Sequence, residues 1–507
     1  MKNYILLAII AVLLSCSSCN DLLDKEPLDK ISSGIFWMSK TDFEMALTAN
    51  YGMLQENDIF GARYANWDVL TDNGYGQHNS FNSKDIVSGN INPTTGGYIS
   101  DLYNYSYKAI ARANIFLTEL KNYEGNDLSE NEKKAAEAEV TFLRAFHYFN
   151  LYLHYGDVPL VLEPLSLENQ VQAKVDAAQI YDQVIKDLDF AIANLNAVPY
   201  FENSGHATKS TARAFKARVL INEAYGDTGV PNTTILAEVK QLCLQVMGEY
   251  SLSPNFEDVF QDKGQQGNTE IIFSVNFLAP DDLPSRGVDL IYGDWISVSP
   301  LQNLVDAFEC ADGLPWGTSP LTNTDDPFEN RDPRLAKTIF VDYPDWGNGN
   351  IHSPTNSRPT GYGLMKFLEP DNTPYGYSTL SQQNTVILRL GEVLLMYAEA
   401  QNEIEGPDAT VYQAINDIRA RVNMPALTEG LNKDEMREKI RHERRIEMAF
   451  EGLRFFDLKR WHIAGEVLNS VTDGILTYHW EDKFYHWPLP QEEIDKSQGV
   501  LIQNSDY

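Results

Sequence analysis

The residues of this chain best suited to chemistry are paired carboxylates on helices, one helix that interleaves arginine with glutamate, and aromatic rings in segments without helical period. Glu392 and Glu399 stand two turns apart, roughly 10 Å of rise, near the upper separation of the carboxyl groups of an inverting glycosidase. Solvation of a helix face is the simpler role for such glutamates. The stretch 436–453 (MREKIRHERRIEMAFEGL) places Glu443 and Glu447 one turn apart, with Arg444 three residues before Glu447. A partly buried ion-pair network with bidentate arginine forks accounts for this spacing without a ligand, and Ile446, Ala449, Phe450 and Leu453 supply a core stripe. The nine histidines include no HExxH, and His442, His462 and His479 lack ligand spacing. Asp325, Asp326 and Asp332 lie in an acidic loop that suits turn formation; a structural Ca²⁺ there is the one metal reading, and the alternation of an EF-hand is missing. GxSxG, Walker A and dinucleotide motifs are absent, so no cofactor is expected.

Aromatic rings carry the strongest functional signal. A sugar presents apolar C–H faces between rings of hydroxyls, so a glycan site needs flat Trp or Tyr platforms bordered by Asp, Asn, Gln or Arg. Phe142, Phe146, Trp461, Trp37, Trp480 and Trp487 read as packing residues, and Trp67 as the end of a helix in the core. Tyr75 and Phe81 in an Asn/Gly/Ser-rich stretch (72–97), and Trp295, Trp316 and Trp346 in a second irregular stretch, have no periodicity to explain them. Asp72 and Asn73 are the polar partners expected beside Tyr75, while Arg358 and Tyr362 are further candidates. Trp295 leads the set, because Gly293-Asp294 just before it can form a turn that projects the ring outward.

The elements that must hold these residues are mostly helices. Stripes at 3.6-residue spacing predict helices over 41–55, 98–123, 129–153, 177–195, 211–225 and 236–247. Ser129 and Glu132 have the spacing of a capping box. Small alanines on the inner faces suit stacked hairpins of tetratricopeptide-like packing, without its strict repeat. Residues 248–386 are irregular, with short β-like pieces such as 270–275 and a helix at 300–308, and helical period returns at 386–404, 409–422 and 433–452. The expected fold is mostly α: a helical-hairpin scaffold with a large loop-rich insert and few short strands.

Composition narrows the function classes. The chain has 507 residues with 40 Lys plus Arg against 72 Asp plus Glu, a net charge of −32 that disfavours nucleic acid and anionic membrane surfaces. Hydrophobic content of 43% and aromatic content of 11% predict a folded chain. Lys2 and the apolar run 4–14 form a signal-peptide pattern, too short to span a bilayer comfortably, and Cys16 and Cys19 stand where cleavage should fall. That is the pattern of a bacterial lipoprotein. Cys16 has the better lipobox. Cys243 and Cys310 allow at most one disulfide.

Several long motifs in order give the chain a resemblance to the SusD/RagB family of outer-membrane nutrient-binding lipoproteins. They are Cys19-Asn20-Asp21-Leu22-Leu23-Asp24 with Phe36-Trp37; Phe142-Leu143-Arg144-Ala145-Phe146-His147-Tyr148-Phe149 with Gly156-Asp157-Val158-Pro159; Leu388-Arg389-Leu390-Gly391-Glu392; Glu443-Arg444-Arg445-Ile446-Glu447; and Leu489-Pro490-Gln491. The resemblance favours Cys19 as the lipidated residue, with Cys16 the alternative. It implies a signal peptide over 1–18 and one domain over 19–507. Within that domain, N-terminal repeats occupy about 27–247, a ligand-binding insert 248–386, and a C-terminal helical region 387–507. It further implies a non-enzymatic receptor, lipid-anchored in the outer membrane and exposed at the cell surface, that passes a glycan to a SusC-like TonB-dependent transporter. The competing readings are a peptide receptor of the same fold, a surface glycoside hydrolase and a helical-repeat adaptor.

Overall fold

The computed structural model describes residues 36–56, 59–203, 205–341 and 357–507. Cys16, Cys19 and Trp346 lie outside them. The first helices are α1 (Lys40–Tyr51), α2 (Tyr98–Asn122), α3 (Glu130–Tyr155), α4 (Ala177–Asn194), α5 (Lys209–Glu223) and α6 (Thr233–Met247). Each packs on its chain neighbour from α1 through α6. Their starts are fixed by side chains: Ser39 with Asp42, and Ser129 with Glu132, form complete capping boxes that satisfy amides the helix itself leaves open. Ala138, Ala145, Ala212, Ala214 and Ala217 are fully buried, which lets α3 and α5 approach their neighbours closely.

After α6 the chain leaves the stack, and it returns in α7 (Leu390–Glu405), α8 (Ala409–Arg421), α9 (Lys433–Glu447) and α10 (Arg454–Arg460). Helix α7 packs on α6, so the C-terminal helices continue the same stack. The excursion is pinned at its neck by antiparallel pairing of β2 (Ile271–Val275) with β6 (Thr385–Arg389). Two more two-stranded sheets lie along it: β1 (Gly74–Gly76) with β3 (Val298–Pro300), and β4 (Ile339–Phe340) with β5 (Gly363–Leu364). The fold is mostly α, as the hydrophobic periodicity requires. One continuous core runs through stack and insert, and a smaller one gathers Phe43, Phe116 and Leu120 with Phe36 and Trp37 packed on it.

Three sequence expectations need correction. Residues 386–389 form strand, not helix, because the apolar run of β6 pairs with β2 before α7 begins. Helix α9 stops at Glu447, short of 452: Phe450 and Gly452 both take positive φ, which no right-handed helix contains. The stretch 72–97 is no open loop, since it holds β1 and a short helix, Ser83–Val87. Cys243 and Cys310 are buried free thiols. Among the described residues no helix is long and apolar enough to cross a membrane.

Candidate functional site

Trp295 caps a π-helical turn, Asp289–Asp294, and its own N–H donates to the carbonyl of Leu290 at 2.9 Å. The next residue, Ile296, sits at φ +50°, a left-handed setting that a β-branched side chain enters only when its surroundings impose it. Those surroundings are specific. The Ser297 N–H donates to Ile291, the Gln77 N–H donates to Ser297, and His78 Nε2–H donates to the carbonyl of Trp295 at 2.7 Å. The β1–β3 ladder, with Tyr75 opposite Ser299, thus fixes the turn from one side.

Asp289 fixes it from another. Its buried carboxylate accepts from the Glu369 N–H, Asn372 Nδ2, Ser381 Oγ and Gln383 Nε2 at 2.7–3.1 Å, so four donors along 369–383 clamp that loop to the turn that carries Trp295. Burial raises the Asp289 pKa, and these donors oppose the rise. Gly293 is required here: a Cβ would stand 2.5 Å from the ring of the buried Tyr375. Two residues further, Tyr377 is 74% exposed and meets the half-buried Trp295 in a steep edge-to-face arrangement, centroids 5.8 Å apart. The Arg63 guanidinium lies 5.9 Å from the Trp295 centroid and donates to Ser80 Oγ, while that of Arg286 lies 5.7 Å from the Tyr377 centroid. The result is a surface ledge of two aromatic rings at an angle, bordered by cations and by His78.

The other expected residues separate from it. Asp72, expected beside an open platform, is an interior ion-pair partner: it is 3% exposed and accepts from Arg454 at 2.9 Å, with Arg445 2.8 Å away. Burial pushes its pKa up, but the two arginines outweigh burial and hold it at about 2. Asn73 is wholly buried, donating to Asp68 and accepting from Arg445. Tyr75 is only 9% exposed, a strand residue with Lys84 Nζ 5.0 Å from its ring centroid. Phe81 packs on Tyr98. These four were expected at an open loop; the polar pair was drawn inward by arginines some 370 residues later in the chain.

Trp316 and Tyr362 fall in a second group, around Arg331. Its guanidinium covers Trp316 at 4.1 Å while donating to the carbonyls of Val305, Phe308 and Pro327. Tyr362 packs near Phe328 and its hydroxyl donates to Gln302. Arg358 lies 5.8 Å from the Phe340 centroid. Sequence reasoning missed Tyr377, Arg63, His78 and Arg286; of these, His78, Arg286 and Tyr377 lie inside the two aperiodic stretches, and the Tyr375-Gly376-Tyr377 step carries the same turn-plus-aromatic signal as Trp295.

The carboxylates considered for catalysis are committed elsewhere. Glu392 is ion-paired with Arg218 and Arg444, while Glu399 accepts from Arg460, Tyr225 and Trp461. Burial raises the Glu399 pKa, but Arg460 and Tyr225 outweigh it and bring it to about 2, far from the value an acid catalyst needs. Glu443 and Glu447 join Arg334, Arg389, Arg419 and Arg421 in one buried web. Arg444 does not pair within its own helix but reaches Asp457. In the acidic loop, Asn323 and Asp326 accept local backbone amides, and no cluster of three or more metal-ligating side chains exists among the described residues.

Fold and site place the chain among helical-hairpin proteins that carry a loop-built aromatic face. The SusD family profile matches residues 257–507, and a second, described as starch-binding and associating with the outer membrane, matches 21–221. The chain belongs to the SusD/RagB family. It is 28% identical to a SusD-like protein, P25, of Formosa agariphila, over 99% of this chain and 98% of that one. It is 22% identical to the starch-binding protein SusD of Bacteroides thetaiotaomicron, covering 78% of this chain and 76% of its relative. The fold matches the crystal structure of a SusD-like carbohydrate-binding protein from Bacteroides fragilis with a TM-score of 0.78 and 26% identity, over 92% of this chain and 99% of that one.

Proposed function

We propose that this protein is a non-enzymatic glycan receptor of the outer membrane, and that the Trp295–Tyr377 ledge is where the glycan sits. The observation that carries this reading is the ledge itself: two rings at the surface, one of them 74% exposed, held by a clamp that a solvent-facing aromatic would not otherwise require. Burying Tyr377 against a sugar face gains apolar contact without rearranging the scaffold. The names of relatives, one starch-binding and one carbohydrate-binding, support the ligand class.

Around the rings a hydrolase would need two opposed carboxylates with a water or sugar carbon between them. Asp289 is instead saturated by four donors, and Asp294 is buried. Release of the captured glycan to a SusC-like TonB-dependent transporter, and anchoring through lipid on Cys19 (or Cys16) at the cell surface, complete the proposal. Trp316 and Tyr362, near Arg331, form a second candidate group, and Arg358 beside Phe340 is a further candidate. Asp72, Asn73 and Tyr75 are assigned to architecture. A glycan array followed by isothermal titration with the wild type and Trp295→Ala tests the reading: binding without new reducing ends, abolished by the substitution while the helical circular-dichroism signal stays, is expected. Unchanged affinity in the variant would place the site elsewhere.

A further inference from the structure

Cations gather at the ledge although the chain carries a net charge of −32. Arg63 and Arg286 each lie within 6 Å of a ledge ring centroid, Lys84 lies 5.0 Å from that of Tyr75 on the adjoining strand, and His78 is bonded to the backbone of Trp295. Elsewhere in the molecule most buried arginines are matched to carboxylates, Arg331 on its three carbonyls being an exception. At the ledge the pattern changes: among the described residues neither Arg286 nor Lys84 forms an ion pair, and Arg286 donates only to the neighbouring Ser285 carbonyl. Nearby acids are turned to other tasks. Asp85 accepts from Asn79, Asp294 is buried, and the carboxylate of Asp282 accepts from Gln55 Nε2.

We infer that the ligand of this ledge is an acidic glycan, whose carboxylate or sulfate groups seat against Arg286, with Lys84 beside Tyr75 on the neighbouring strand as a second cation, while its sugar rings lie on Trp295 and Tyr377. The inference rests on the glycan reading of the same site. Its physical basis is complementarity. A polyanion approaching a surface of net charge −32 is repelled overall, so capture requires a local positive field at the point of contact. Guanidinium groups offer paired N–H donors that match the oxygens of carboxylate and sulfate, and their flat faces rest on aromatic rings without losing those donors. A neutral glycan would need only the rings and scattered hydroxyl partners, and would leave Arg286 and Lys84 unused.

The test uses the full chain and two matched pairs of probes: polygalacturonate against its methyl ester, and carrageenan against its desulfated form, within an array that also holds neutral glucans and mannans. The result expected is that the charged member of at least one pair binds about tenfold or more tightly than its neutral partner. That preference should shrink severalfold between low and high NaCl, since screening weakens exposed charge contacts. The pair that discriminates tells uronate from sulfate. Arg286→Gln with Lys84→Gln should remove most of the preference at unchanged melting temperature, whereas Trp295→Ala should abolish binding of any glycan. Equal or better binding of neutral glycans, insensitive to salt but lost in Trp295→Ala, overturns the acidic ligand and leaves the ledge standing. Charged-glycan binding that Arg286→Gln with Lys84→Gln leaves untouched also overturns it. No binding to any probe on the array counts against both readings. As a check independent of the ligand, the fluorescence difference between wild type and Trp295→Phe should be quenched more by iodide than by caesium; equal quenching would show that the positive field is absent.

Discussion

Around Arg389 every charge meets its opposite out of reach of water, whereas around Trp295 cations rest on aromatic rings at the surface. Arg389 contacts Glu270, Glu447 and Glu451; Glu447 in turn takes Arg334 and Arg421; Lys366 donates to Glu451 and to two backbone carbonyls. Burial favours the neutral form of each of these groups, and only the partners hold the carboxylates ionised. Such a web ties Glu270, just before β2, to β6, α8 and α9, and it turns its guanidinium groups onto carboxylates, with Arg421 Nε buried and left without a partner among the described residues. The ledge differs in exposure and in backbone: one ring is partly buried and the other 74% exposed, on a turn with a residue at positive φ, whereas the cations of the web lie over the buried rings of Phe256 and Phe260. The difference teaches how to divide charge by role in this fold. Charge that is mutually satisfied in the interior builds the molecule, and charge placed beside exposed aromatics is what the proposed function assigns to recognition.

The comparison can be broken most severely in the web. Glu447→Ala leaves Arg389, Arg334 and Arg421 buried beside a missing carboxylate and should cost about 3–5 kcal/mol, read by denaturant unfolding. If the variant melts like wild type, the web is decoration. Acid is the second lever. Asp72 and Glu399 both have folded pKa values of about 2, below their unfolded values, so their stabilisation is present above about pH 4 and is lost as pH falls from there towards 2. Each should contribute about 2–3 kcal/mol at neutral pH, and a stability profile flat between pH 5 and 2 would contradict the pairing.

A smaller effect links the two regions. Asp289→Ala strands four donors and frees the loop 369–383, which should lower stability by about 1–3 kcal/mol. It should also weaken glycan affinity severalfold by letting Tyr377 drift from Trp295, with faster proteolysis of that loop as the check. Smallest of all is Trp316→Ala. The ring is covered by Arg331, so the loss should stay near 1 kcal/mol in stability, with glycan affinity unchanged. A large loss of affinity would extend the binding face to the second group.

Sequence reading succeeds where the physics is local. The stripe of Ala138, Phe142, Ala145 and Phe149 and the Ser129–Glu132 box mark α3 because a helix repeats within a few residues, and all four stripe residues are buried in it. It fails where a partner is remote. The run Val386–Arg389 is apolar enough for helix or strand, and only pairing with Ile271–Val275, more than a hundred residues earlier, decides for strand. Asp72 and Asn73 read as surface polars in a Gly-rich stretch for the same reason: nothing nearby announces Arg445 and Arg454. Trp295 stands out in the sequence because no helical period claims it, and the structure leaves its ring partly exposed beside Tyr377. Tyr377 was not singled out, since its exposure depends on Asp289 holding a loop whose clamp residues are spread over 369–383.

The most direct measurement is isothermal titration of Trp295→Ala and wild type against a glycan identified on the array, with thermal melts of both. The account predicts melting temperatures within a few degrees of each other, helical signal intact, and binding lost or weakened at least about tenfold in the variant, the scale of a stacked ring removed from the centre of a site. Wild-type affinity in a folded Trp295→Ala protein would contradict it.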